Sequence, residues 1–231
     1  MTSAVLLDFY GTLAHATTWG PRFEDVLAKR GFAIPDGVSV HDDHIDGREH
    51  LEHSVSAETY LAWEHHRLRR FVDACGVGPD DADLLVEELY TATKSFELKA
   101  YPEVPDVLAE LRARRIKIAV CSNWDWHLDR AMAQAGLDSL VDVMVTSAQA
   151  GARKPHPRIF QHTLERSGVT DPADVVFAGD SWGPDVEGPA AMGMRPVHVW
   201  RPEWDGQRDP PPPITNGYVR LSDLSGLVDL V

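Results

Sequence analysis

The feature that most constrains this chain is a recurring pattern. Short apolar runs, each closed by a polar residue, are separated by stretches with helical spacing. Ala4 to Leu7 closes at Asp8, Lys117 to Cys121 at Ser122 and Asn123, Val143 to Val145 at Thr146 and Ser147, and Val175 to Ala178 at Gly179 and Asp180; a fifth run spans Pro196 to Trp200. Between them apolar residues recur at i, i+3, i+4 and i+7, as in Val104, Val107, Leu108, Leu111 and again in Leu128, Ala131, Met132, Ala135. Gly136 and Gly168 stand where such helices stop. Short, wholly apolar strands alternating with amphipathic helices predict an α/β fold, a parallel sheet covered on both faces. Ligands of such sheets bind beyond the carboxyl ends of the strands, which is where Asp8, Ser122 and Asp180 are expected to gather.

Residues 14 to 98 break the rhythm. Phe23, Val26 and Leu27 mark one helix, Leu61, Leu68, Phe71, Val72 and Cys75 a longer one, and Leu84, Leu85 and Leu89 a third, with no convincing strand among them. The segment reads as a helical insert placed after the first strand, so the domains are 1–13 plus 99–231 for the core and 14–98 for the insert. Tyr101-Pro102-Glu103 re-enters the core, with Pro near a helix start where its missing N–H is harmless. Pro210 to Pro213 reads as an extended surface connector.

Composition narrows the function classes. In 231 residues, 22 Lys and Arg face 36 Asp and Glu, a formal charge of −14, which repels nucleic-acid phosphates. The basic cluster Arg67 to Arg70 sits among His and acidic residues and reads as a helix face. No apolar stretch approaches the ~18 residues of a membrane span, and the start, Met1 to Asp8, lacks the basic opening of a signal peptide. Cys75 and Cys121 lack C-x-x-C spacing and read as small core residues in a reducing interior. A cytoplasmic protein is the expectation, acting on a small molecule, with no nucleic-acid or membrane partner. No motif names the substrate or the oligomeric state.

Asp8-Phe9-Tyr10-Gly11-Thr12-Leu13 is the most informative stretch. A carboxylate ending a buried strand, followed by a glycine turn and a hydroxyl, offers a nucleophile and backbone amides that can face an anion; a plain strand-end turn is the other reading of these residues alone. Three signals follow in order: Ser122-Asn123, then Lys154-Pro155 before a helix, then Gly179-Asp180-Ser181-Trp182-Gly183-Pro184-Asp185. With these the chain resembles the haloacid dehalogenase-like hydrolase superfamily, whose four motifs are matched in order. The resemblance implies a Rossmann-like core with an inserted α-helical cap. It implies that Asp8 is the nucleophile, that Lys154 neutralises charge on Asp8 and the substrate, and that Thr12 and Ser122 hydrogen-bond the transferring group, with Tyr10 and Asn123 also at the substrate. It further implies Mg2+, held by Asp8, the Tyr10 carbonyl and Asp180, with Asp185 supporting the metal's waters. Charge agrees: Asp8, Asp180, Asp185 and a phosphomonoester dianion outweigh Lys154, and like charges ~4 Å apart cost about 4 kcal/mol per pair at an effective dielectric near 20.

The chain departs from the family's phosphatases at Tyr10, where a second Asp usually protonates the leaving group. An unperturbed tyrosine, with a pKa near ~10, is a poor general base at neutral pH. Tyr10 is instead similar to the 2-haloacid dehalogenases, where halide leaves without a proton; those enzymes use no metal and generally lack the acid matching Asp180. A magnesium-dependent phosphatase acting through aspartyl-phosphate is the expectation, with a dehalogenase or a binding protein without turnover as alternatives. Among weaker signals, His41-Asp42-Asp43-His44 reads as a solvated loop before it reads as a metal site, and His65 and His66 as a charged helix face. Trp124, Trp126 and Trp182 are read as packing or as a pocket wall, and Arg22 and Arg48 as insert residues that could reach a substrate anion.

Overall fold

The computed structural model describes residues 2–40, 49–205, 211–214 and 217–231. The sequence readings on His41 to His44, Arg48 and Pro210 lie outside the described residues. In chain order the elements begin with β1 (Ala4–Leu7), β2 (Ala14–Trp19), α1 (Phe23–Ala28), α2 (Ala57–Ala74), α3 (Pro79–Ala92) and β3 (Phe96–Ala100). They continue with α4 (Val104–Ala113), β4 (Lys117–Ser122), α5 (Leu128–Gln134), β5 (Val143–Thr146), α6 (Ser147–Ala150) and α7 (Pro157–Ser167). The last are β6 (Val175–Gly179), a π turn over Trp182–Glu187, α8 (Gly188–Ala191), β7 (Arg195–Val199), α9 (Pro202–Asp205) and β8 (Val219–Leu221).

Six strands form one parallel sheet in the order β5-β4-β1-β6-β7-β8. The first strand is central, so the chain winds to one side of it through β4 and β5 and to the other through β6, β7 and β8. This is a Rossmann-like arrangement with its switch point at the end of β1. All four residues of β1 and all five of β6 are buried, as continuous apolar runs require when both faces are covered. On α4 the buried residues are Val104, Val107, Leu108 and Leu111. Helix α7 opens with Pro157 at its first position and stops at Gly168, whose φ of 70° is the left-handed cap that glycine adopts without strain. Ile159, Phe160 and Leu164 of α7 pack with Leu6, Cys121, Val145 and Phe177 in one apolar cluster.

Register carries the sheet's ends to a common level. Leu7 lies beside Val120 on one side and Ala178 on the other, and the Asp8 amide donates to the Ala178 carbonyl at 2.9 Å. Asp8, Ser122 and Asp180 therefore leave the sheet side by side at its carboxyl edge.

The described residues 16–40 and 52–97 form a second compact unit. Its three helices bury Leu27, Leu68, Val72, Leu85 and Leu89 in a core of their own. Ser56 accepts a hydrogen bond from the Thr59 amide and caps α2. Arg67 is buried against Glu64, with Nη2 to Oε2 at 2.7 Å. One sequence expectation is corrected in this region, the absence of strands. Strands β2 and β3, which carry the chain out to this unit and back, pair as a separate two-stranded sheet; most of their residues are exposed or half-buried, so no apolar run betrayed them. Leu61 and Leu84 lie on exposed faces of α2 and α3. His65 is half-buried, its ring edge-on to Tyr90 at 4.9 Å. Among the described residues, no helix is long and apolar enough to cross a membrane.

Candidate active site

At the carboxyl edge of the sheet one buried ammonium joins two carboxylates. Lys154 Nζ donates to Asp8 Oδ1 at 2.7 Å and to Asp185 Oδ1 at 2.6 Å, and Ser122 Oγ donates to the same Asp8 oxygen at 2.9 Å. Two donors on Oδ1 fix the plane of the Asp8 carboxylate. Lys154 and Asp185 are each only 1% exposed. Burial alone would discharge Lys154, but the charges of Asp185 and Asp8 more than offset it and hold the ammonium above the ordinary lysine range. Its ammonium also lies 5.3 Å from the centre of the Phe177 ring.

The lysine is aimed by its own backbone. Asn123 Oδ1 accepts from the Lys154 amide at 2.7 Å and its Nδ2 donates to the Lys154 carbonyl at 3.1 Å. The Asn123 side chain, expected at the substrate, thus clamps the loop that delivers Lys154.

A third carboxylate completes the cluster. Oxygen atoms of Asp8, Asp180 and Asp185 lie within 4.8 Å of one another. Two glycines make this crowding possible. A Cβ on Gly11, whose φ is +87°, would stand 2.5 Å from Asp180 Oδ2, and one on Gly179 would stand 2.4 Å from Asp185 Cγ. Asp185 is anchored by the Ser181 amide, which donates to its Oδ2 at 3.0 Å. Burial, with Asp8 and Asp180 adding to it against the pull of Lys154, pushes the Asp185 carboxyl up to about 7. Three carboxylates against one ammonium leave a surplus of negative charge in a buried, all-oxygen donor set. That is what a small hard cation such as Mg2+ requires, so the residues fit the metal.

The loop after Asp8 supplies the remaining groups. Thr12 is fully buried, and its Oγ1 has no hydrogen-bond partner among the described residues, leaving the hydroxyl unspent for a bound group. Its carbonyl accepts from Arg201 Nη2 at 2.8 Å, and the same nitrogen meets Glu103 Oε1 at 2.6 Å. Tyr10 is half-buried and stacks on Trp124 with centroids 6.4 Å apart, while Phe9 meets Trp124 edge-on at 5.2 Å. Trp126 is half-buried and its carbonyl accepts from Gln149 Nε2 at 3.0 Å. Trp182 packs against His198 and Tyr218 and donates to Glu187. Arg22 is exposed at the start of α1 in the second unit, its amide bonded to Asp25. Cys121, fully buried under the site, has its thiol pushed up to about 12 by burial and is inert at neutral pH; both cysteines are unpaired.

Sequence reasoning missed two buried groups, His198 and Arg201, both at most 3% exposed. The first was visible as the single polar side chain inside the run Pro196 to Trp200.

The family described as haloacid dehalogenase-like hydrolase matches residues 2–193. The human haloacid dehalogenase-like hydrolase domain-containing protein 3 is 39% identical over 98 residues, 42% of this chain and 39% of its own length. A phosphoserine phosphatase of Thermus thermophilus is 32% identical over 172 residues, 72% of this chain and 66% of its own length. The chain thus spans less than two thirds of either relative. Among solved structures, a 2-haloacid dehalogenase from Pseudomonas syringae pv. Tomato superposes over 100% of this chain and 98% of its own, with a TM-score of 0.68 at 20% identity, a likeness of fold.

Proposed function

We propose, from the premise that this chain belongs to the haloacid dehalogenase-like hydrolase family, that it hydrolyses small phosphomonoesters with Mg2+ and an aspartyl-phosphate intermediate on Asp8. The observation that carries the reading is the buried cluster of Asp8, Asp180 and Asp185 around a single ammonium. Such a cluster suits a substrate that arrives with a divalent cation, and the similarity to a phosphoserine phosphatase supports the same chemistry.

In this mechanism the Asp8 carboxylate, held in plane by Ser122 and Lys154, attacks phosphorus in line. The bond to the ester oxygen breaks as the new P–O bond forms, and the alkoxide or aryloxide departs with its electron pair and takes its proton from solvent water. Water then attacks the phosphorus of the acyl phosphate, releasing inorganic phosphate and restoring Asp8. Lys154 and the Ser122 and Thr12 hydroxyls balance charge on the phosphoryl oxygens. Mg2+, held by Asp8, Asp180 and the Tyr10 carbonyl with Asp185 behind them, would supply further charge neutralisation. Substrate choice falls to the inserted helical unit, acting as the cap.

Tyr10 shapes the reaction, because no carboxylic acid stands two residues after Asp8 to protonate the leaving oxygen, only a weakly acidic phenol. Turnover should therefore fall steeply as the leaving group becomes more basic, with aryl phosphates ahead of alkyl phosphates. Tyr10→Asp is expected to raise kcat/KM for alkyl phosphates about tenfold or more and to change aryl phosphates little. Steady-state kinetics over a series of leaving groups checks this, and an alkyl ester unaffected by Tyr10→Asp argues against it. Tyr10 also favours a second reading, displacement of halide from a 2-haloacid, which needs no leaving-group proton. Release of halide that persists in chelator would select that reading.

A further inference from the structure

Strand register brings three residues from distant parts of the chain into one row. Gly179 on β6 lies beside His198 on β7, and His198 lies beside Arg220 on β8. Arg220 Nε donates to His198 Nδ1 at 2.8 Å. An arginine nitrogen is always a donor, so Nδ1 accepts and the ring proton sits on Nε2. That nitrogen lies 3.0 Å from the Asp180 carbonyl oxygen and, carrying the proton, must donate to it. His198 is 1% exposed, and the Trp182 ring meets it edge-on at 5.5 Å. Arg220 is in turn fixed by the Pro212 carbonyl and by the Trp182 face, 5.8 Å from its guanidinium carbon.

We propose that His198, locked in one tautomer by Arg220, is a positioning residue that fixes the main chain of Asp180 and thereby sets the affinity of the carboxylate cluster for Mg2+. The proposal rests on the metal-dependent reading above. Asp180 follows β6 directly, and a Cβ on Gly11 would touch its Oδ2, so its carboxylate has little room for error. The Nε2 hydrogen bond fixes the peptide plane from which that carboxylate departs. Outer partners of this kind typically govern metal affinity or activity by about 10–100-fold. His198 bonds the main chain of Asp180 and the side chain of Arg220, so its effect should fall on the metal-holding carboxylate rather than on the nucleophile.

The test is Mg2+ binding to the chelator-stripped full chain, followed by calorimetry, with steady-state kinetics alongside. His198→Phe is expected to weaken Mg2+ binding about tenfold or more, while KM for the ester at saturating Mg2+ stays within about threefold. His198→Gln, which keeps a donor near the Nε2 position, should restore affinity to within about threefold of wild type. Arg220→Met, which frees the tautomer without removing the ring, should weaken Mg2+ binding about threefold to tenfold and keeps the test open if His198→Phe does not fold. A folded His198→Phe or Arg220→Met protein that binds Mg2+ as wild type does overturns this proposal alone. A wild-type chain that binds no Mg2+ overturns the metal-dependent reading and this proposal with it.

Discussion

Replacing Asp8 with asparagine is expected to abolish phosphate release, by on the order of 10⁴-fold or more, as removal of a covalent nucleophile does elsewhere. The same substitution should leave the fold intact. Asparagine is isosteric, and its Oδ1 can still accept from Ser122 and Lys154, which meet Asp8 at 2.9 and 2.7 Å. Removing one of three crowded carboxylates also relieves repulsion. In chelator the Asp8→Asn protein should therefore melt at the same temperature as wild type or above it, the usual relation between a strained active site and stability. Phosphate release and thermal unfolding on the same preparation check both halves. Retention of a tenth of the wild-type rate would remove Asp8 from the role of nucleophile.

Lys154→Met acts in the opposite way on stability. Removing the ammonium leaves Asp8 and Asp185 buried without their common partner, and breaking a buried pair in this manner costs about 3–5 kcal/mol. Activity should fall by a factor on the order of 10³, because in the proposed mechanism the Lys154 ammonium balances charge on the phosphoryl oxygens. The stability deficit has a pH signature. In the wild-type protein the Asp185 carboxyl is already pushed up to about 7, above its ordinary value. A carboxyl whose folded value is raised favours the folded state at pH below its unfolded value and loses that advantage as pH rises through its folded value. Without Lys154 the carboxyl rises further, so the deficit should be small near pH 4 and grow through neutral pH. Denaturant unfolding of both proteins between pH 4 and 8 measures this, and a deficit independent of pH would show that the charge on Lys154 is not what stabilises the site.

The core was legible in the sequence because its strands are buried on both faces. A continuous run such as Val175 to Ala178 cannot sit at a surface, and the polar residue that closes it marks the sheet edge. That logic, with the resemblance carried by the four motifs, singled out Asp8, Ser122, Lys154, Asp180 and Asp185, and these residues do lie together. Strands β2 and β3 escaped notice for the converse reason, since a ribbon with exposed faces has no apolar signature. Strand β8 is three residues of half-buried edge, too short to pattern. The contacts of Asn123, His198 and Arg220 reach residues 18 to 31 positions distant in sequence. Only the register of the sheet and the path of the Lys154 loop create those contacts, and no local spacing encodes either.

The central claim is that surplus negative charge at the sheet edge makes this a metal-dependent phosphoester hydrolase. The most direct measurement is inorganic phosphate released by the wild-type chain from a panel of small phosphomonoesters, with Mg2+ and with chelator. Release in Mg2+ that disappears in chelator and returns on adding Mg2+ is the predicted result. Absence of release from every ester, with halide set free from 2-haloacids equally well in chelator, would contradict it.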